Sequence, residues 1–209
     1  MMLTPIPPGE LQGALDRFAT GLADRAAAAA FAAIRATSAE RAQGDAARRH
    51  RRAALALARR YGIRVHPAGT RPGFNWDGAA LDGDTEAYVI LHEIAHFVLA
   101  PPERRRLIDF GLGPGPDTTE RAAAERAAIV PLGEREADEA AASLLGILWE
   151  AALGQPALAS FLDQNWLEGL DRGAAGHFTT VLARLRRLGL IEGDATPRRG
   201  GRDELCTDL

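Results

Sequence analysis

Residues 89–111 read "VILHEIAHFVLAPPERRRLIDFG", and this stretch decides the fold. Its first half is apolar on every side except at His92, Glu93 and His96, which predicts a core helix. Pro101 and Pro102 must stop that helix, because proline lacks the backbone donor and clashes with the preceding turn. On a helix, positions i and i+4 lie one above the other, so His92 and His96 present two imidazoles to one point. Imidazoles are poor choices for an apolar helix, and the chain has only five histidines. The pattern His-Glu-x-x-His is the spacing of two protein ligands to a metal ion. Glu93 stands beside the first ligand, placed to contact a metal-bound water, and is the candidate catalytic residue.

A one-metal site needs a third protein ligand and an open position. The candidates lie in "GEREADEAAASLLG": Glu134, Glu136, Asp138 and Glu139. Ala137, Ala141, Leu144, Leu145 and Leu148 form the apolar side of this helix. Glu134 and Asp138 continue that side at its N-terminal end, whereas Glu136 and Glu139 point toward water. Burial thus selects Glu134 as third ligand. Asp138, one turn later, is placed to accept the second N–H of a ligating histidine. A di-iron carboxylate bundle is excluded by count, since Glu93 and His96 make the only Glu-x-x-His in the chain.

Outward from the motif, helix dominates. Residues 10–37 are Ala-rich and read as helix, and residues 46–60 as a second. "RRHRR" (Arg48 to Arg52) reads as a solvated helix face. "YGIRVHP" from Tyr61 predicts a short strand, and residues 69–84 a Gly/Pro loop. Asp84 is the expected N-cap of the motif helix. "DFGLGPGPD" from Asp109 cannot be a regular helix, with three glycines and two prolines in nine residues. Residues 119–128 are helix-compatible, a long helix covers 134–153, and residues 177–190 are amphipathic. The expected fold is mainly α, or α+β with a small sheet, in a zincin-like arrangement of an HExxH helix and a second ligand-bearing helix. The expected units are an N-terminal helical segment (1–60), a metal-binding catalytic domain (61–192) and a disordered tail (193–209).

Composition bounds the rest. Apolar residues make up 46% and charged residues 25%, with net charge -3. This balance gives no global pull toward nucleic acid, and none is expected as a partner. The chain contains no lysine, so its 25 basic residues are all arginine, which lowers the information in any Arg cluster. The single cysteine, Cys206, cannot form an internal disulfide, which fits a reducing, cytoplasmic compartment. No apolar run approaches the ~20 residues of a membrane span, and the N-terminus lacks signal-peptide character.

The run from His92 resembles the signature of the elongation factor P hydroxylase family. The matching positions are His92, Glu93, Ile94, His96, Ala100, Arg104, Arg105, Leu107, Asp109, Phe110 and Gly111. In that family a Glu follows, with an amide residue four positions later. Glu134 with Asp138 matches the spacing, with Asp in place of the amide. "LGQPALASFLDQNWLEG" resembles the family's later segment, with Gln164 and Trp166 inserted. The resemblance spans roughly residues 86–170. The family's aromatic segment after Asp-Phe-Gly is replaced here by "LGPGPD".

The resemblance implies a triad of His92, His96 and Glu134. It implies one divalent metal, Fe(II), and oxygen-dependent hydroxylation of a modified lysine on a protein, with elongation factor P as the partner. Apart from the resemblance, Arg104 and Arg105 are the candidate substrate-binding residues: one of them, with Asp109, either braces the loop after the motif helix or meets an acidic group on the substrate, although an Arg-Arg pair in a lysine-free chain also reads as a solvated face. A second resemblance is to ImmA/IrrE-type metallopeptidases, through "EREADEAAASLL", where Glu-x-x-x-Asn/Asp follows HExxH. It implies Zn(II) and a peptidase, with Glu93 shuttling the proton of the attacking water. Trp166 and Asn165 are read as packing and capping residues, and His177 as a surface or core histidine.

Overall fold

The computed structural model describes residues 6–70, 72–167 and 173–198. Among these the chain forms eight α-helices. They are α1 (Pro8–Thr20), α2 (Arg25–Arg35), α3 (Gly44–Arg60), α4 (Ala87–Leu99), α5 (Arg121–Ala127), α6 (Leu132–Ala152), α7 (Ala157–Asp163) and α8 (Ala174–Arg187). The mainly α expectation holds.

The long N-terminal helix expected over residues 10–37 is two helices. Asp24 breaks it: its carboxylate accepts from the Ala27 N–H at 2.8 Å and caps α2. The strand expected from Tyr61 shrinks to isolated bridges, Val65 with Leu81 and Trp76 with Leu81, and no sheet forms among the described residues. Glycines in left-handed conformation at 62, 69, 73 and 78 keep turning the segment, so no ladder extends. Asp84 does not cap the motif helix, which begins at Ala87 after Glu86. The Asp84 carboxylate instead accepts from the Gly69 N–H.

Two helices organise the molecule. α4 carries the HExxH motif and packs lengthwise on α6, with α3 on another side of α4. α2, α7 and α8 surround α6, which is buried continuously from Ala141 to Glu150. At the crossing, a Cβ on Gly146 would stand 3.4 Å from the His92 Cα and N. Only a very small residue allows the motif helix this close.

The helices N-terminal to residue 60 belong to the same core. Phe18, Phe31, Phe161 and Phe178, from α1, α2, α7 and α8, meet with ring centroids 4.6–6.1 Å apart. Residues 193–198, expected as the start of a disordered tail, pack on the core. Ile191 bridges Pro197, and the Arg198 carbonyl accepts from Trp149 Nε1 at 2.9 Å and from the Tyr61 hydroxyl at 2.8 Å. Residues 199–209, including Cys206, lie outside the described residues.

Candidate metal centre

α4 delivers both motif histidines to one place, as i, i+4 spacing requires. Their Nε2 atoms stand 3.0 Å apart. The third donor comes from α6: Glu139 Oε2 lies 3.3 Å from His92 Nε2, and its Oε1 lies 3.3 Å from His96 Nε2. Donors bound about 2.1 Å from one ion are separated by about 3.0 Å at right angles and about 3.4 Å at tetrahedral angles. The observed spacings therefore fit one face of a single-ion coordination shell. Among the described residues, His92, His96 and Glu139 are the group of His, Cys, Asp or Glu side chains close enough to share an ion.

Glu134 is not part of this group. Five residues along a helix turn the side chain by about 140°, so Glu134 and Glu139 cannot share a face. Glu134 sits exposed in the first turn of α6. The burial argument fails because α6 is central. Below its first turns it is apolar around its whole circumference, so an apolar stripe no longer marks the face aimed at the motif. That face instead runs through Glu136, Glu139, Ser143 and Gly146, at spacings of three and four. The readable signal was the small residues, Ser143 and Gly146, where helix approaches helix.

Asp138 does not touch either histidine through any hydrogen bond of the structure. Its two oxygens accept from Arg104 Nη1 at 2.8 Å and from Arg184 Nη2 at 2.5 Å. Arg104 and Arg105 do not line the cavity at the site. Arg104 also donates through Nε to the Phe110 carbonyl at 3.0 Å. Arg105 donates to the Ala100 carbonyl at 3.0 Å and lies over the Phe97 ring. Both arginines brace the backbone after α4, the first of the two roles expected of them, and neither stands in the cavity as the substrate-binding role requires.

Asp109 does reach the site. The turn Ile108–Gly111 contains Asp109 at φ 45°, Phe110 at φ 54° and Gly111 at φ 71°, three consecutive left-handed residues. Two of them are not glycine, which is uncommon and costs conformational energy. The turn lays the Phe110 ring against His96, with centroids 5.6 Å apart. Asp109 is buried in the cavity wall, and its carboxylate accepts from the Thr118 hydroxyl at 2.8 Å. Burial raises its pKa, against the Thr118 bond and the charge of His96.

The triad opens into a cavity of about 760 Å³. Its lining includes Glu93, which is buried and receives a 3.4 Å contact from Asn75 Nδ2. Burial pushes the Glu93 carboxyl up to about 8, against the attraction of His92 and reinforced by Asp109 and Glu139. Burial also acts to raise Glu139, but the two imidazoles overcome it and hold that carboxyl well below the usual range. Side by side, the site drives one carboxyl toward the charged form and its neighbour toward the protonated form.

The lining also holds residues to which the sequence assigned no functional role. Trp166 and His177 both line the cavity, with their rings stacked at 5.4 Å. Trp166 Nε1 donates to Ser143 Oγ at 2.8 Å, one turn beyond Glu139 on α6. Asn165 lines the cavity from a left-handed position, φ 60°. Exposed Glu136 and Asp117 complete the lining at its mouth. Among the described residues the lining includes five carboxylates and no arginine, in a chain with 25 arginines. Compared with protein-family models, with curated proteins and with solved structures, the chain matches none.

Proposed function

We propose that this chain is a one-metal enzyme using His92, His96 and Glu139, and that it hydroxylates a lysine-derived side chain of a protein in an oxygen-dependent reaction. The observation that carries the reading is where the resembling run ends up. Arg104 holds the Phe110 carbonyl, Phe110 packs on His96, and Asp109 enters the cavity wall. The run from His92 to Gly111 thus builds the site, and the run is what resembles elongation factor P hydroxylases. Elongation factor P is the substrate this resemblance suggests.

A bound Fe(II) would supply oxygen activation, a chemistry suited to two histidines and one carboxylate with open positions. The chain's own residues would do the rest. Asp117 and Glu136 at the mouth suit a cationic side chain, and no arginine of the described lining repels it. Val89, Phe110, Leu112 and Trp166 give the interior apolar walls that exclude water. Phe110 packs on the His96 ring and would keep it in place, and Asp109, held by Thr118, brings a carboxyl into the same cavity wall.

A second reading is a zinc hydrolase, and Glu93 favours it. A buried carboxyl beside the ligands, pushed up to about 8, is suited to taking and returning a proton near neutral pH. Peptidase action of the zincin kind has less support. Extended peptides add to a sheet edge in many recognition modes, and the described residues form only isolated bridges.

Loading the anaerobically purified protein with Fe(II) or Zn(II) separates the two. The hydroxylase reading expects oxygen uptake with a lysine-modified protein substrate by the iron form, and no peptide cleavage by the zinc form. Zinc-dependent cleavage that falls ~10²–10⁴-fold in Glu93→Gln, with no oxygen uptake under any iron loading, would establish the hydrolase instead.

A further inference from the structure

Asp138 takes one guanidinium on each carboxylate oxygen, from Arg104 and from Arg184. It is 14% exposed, so this is a largely buried cluster of three charges. Its members come from three elements, of which α6 and α8 line the cavity and the turn after α4 leads into the Phe110 turn that does. Arg104 belongs to the turn after α4, Asp138 to α6 and Arg184 to α8, whose His177 lines the cavity two turns earlier. Arg184 also donates to the Ala137 carbonyl at 2.5 Å.

The cluster connects to two of the metal ligands by short paths. Asp138 is the peptide neighbour of Glu139. Arg104 Nε holds the carbonyl of Phe110, whose ring lies on His96. Phe110 sits in a left-handed turn that no regular helix can hold in place. We propose that Arg104 and Asp138 are positioning residues of the metal centre. They fix the first turns of α6 against the Phe110 turn, and so set where Glu139 stands relative to His96. This rests on the reading that His92, His96 and Glu139 bind a metal.

The residue chemistry fits that task. Arg104 serves two acceptors in different directions at once, which needs a planar fork of donors. A lysine at 104 keeps the charge but cannot span both. Asp138→Asn keeps the shape but turns one acceptor into a donor facing a guanidinium.

Cobalt(II) tests this without any assay of activity, because its visible bands report coordination geometry. The metal-free protein, Arg104→Lys, Asp138→Asn and the control Asp16→Asn are titrated with cobalt(II) and their spectra recorded at saturation. Asp16 pairs with Arg35 between α1 and α2, away from the cavity. Arg104→Lys and Asp138→Asn should bind cobalt roughly 10–100-fold more weakly, the usual effect of losing an orienting partner. Their bands at saturation should also differ from the parent's, while Asp16→Asn matches the parent in both respects. Asp138→Asn carries the test if Arg104→Lys does not fold.

Folded variants with the parent's affinity and spectrum overturn the proposal. Weaker binding with an unchanged spectrum also overturns it, since that marks a role in stability alone. A parent protein that binds no cobalt removes the metal reading and the proposal together. A parent that binds, beside variants that behave identically, removes only the proposal.

Discussion

Two glutamates on one helix separate burial from geometry at the scale of the residue. Both are exposed, but Glu139 stands 3.3 Å from both imidazoles while Glu134 points about 140° away around the axis of α6. Glu139→Ala should therefore abolish stoichiometric metal binding, and Glu134→Ala should leave it unchanged. Metal content after dialysis, measured on both variants, decides it. Retention in Glu139→Ala with loss in Glu134→Ala would restore the residue that the apolar stripe selects. His92, Glu93 and His96 were legible because their spacing alone brings them together on one turn. Glu139 was not, because its partners lie about forty residues away and no local pattern names the face that meets them.

The turn Ile108–Gly111 is the element that shapes the site. The sequence excluded a helix there, since glycine and proline crowd the segment. What it could not show is that Asp109 and Phe110 themselves adopt left-handed φ, with Gly111 following. At Gly111 a Cβ would meet the Leu107 Cδ1 at 2.9 Å and the Ile129 Cγ1 at 3.0 Å, at φ 71°. Gly111→Ala should thus destabilise the protein by about 1–3 kcal/mol through backbone strain and crowding. It should also weaken metal binding, because Phe110 is displaced from His96. Urea unfolding and a metal titration on this variant check both. An unchanged midpoint would mean that the turn relaxes freely and does not constrain the site.

The molecule as a whole buries a carboxyl outside the lining of the cavity. Glu150 lies inside α6, where burial pushes its pKa up to about 7, against the Ser160 hydrogen bond and the charge of Arg41. Arg41 Nη1 stands 3.6 Å away and also donates to Ser160 Oγ at 2.7 Å. A carboxyl that holds its proton more tightly folded than unfolded supports the fold fully below its unfolded value of 4.5. That support is withdrawn as pH rises through about 7. At ~1.4 kcal/mol per unit, the loss from this group is at most about 3.5 kcal/mol. Urea midpoints of the metal-free parent should fall from pH 5 to pH 8, and Glu150→Gln should flatten that fall. Parallel curves for the two proteins would show that Glu150 titrates normally.

Local physics made the helical class, the motif helix, its stop at the two prolines and the two candidate histidine ligands readable from the sequence. Each depends on neighbours within a turn, so spacing and residue type suffice. The tertiary structure decided which carboxylate stands beside the two histidines, the pairing of Asp138 with Arg104 and Arg184, and the part of the cavity wall made by Trp166 and His177. It also decided that the segment from Tyr61 forms bridges in place of a sheet. These outcomes depend on which faces of distant helices meet. A central helix such as α6, apolar on all sides below its first turns, carries no one-dimensional record of the direction in which its functional face points.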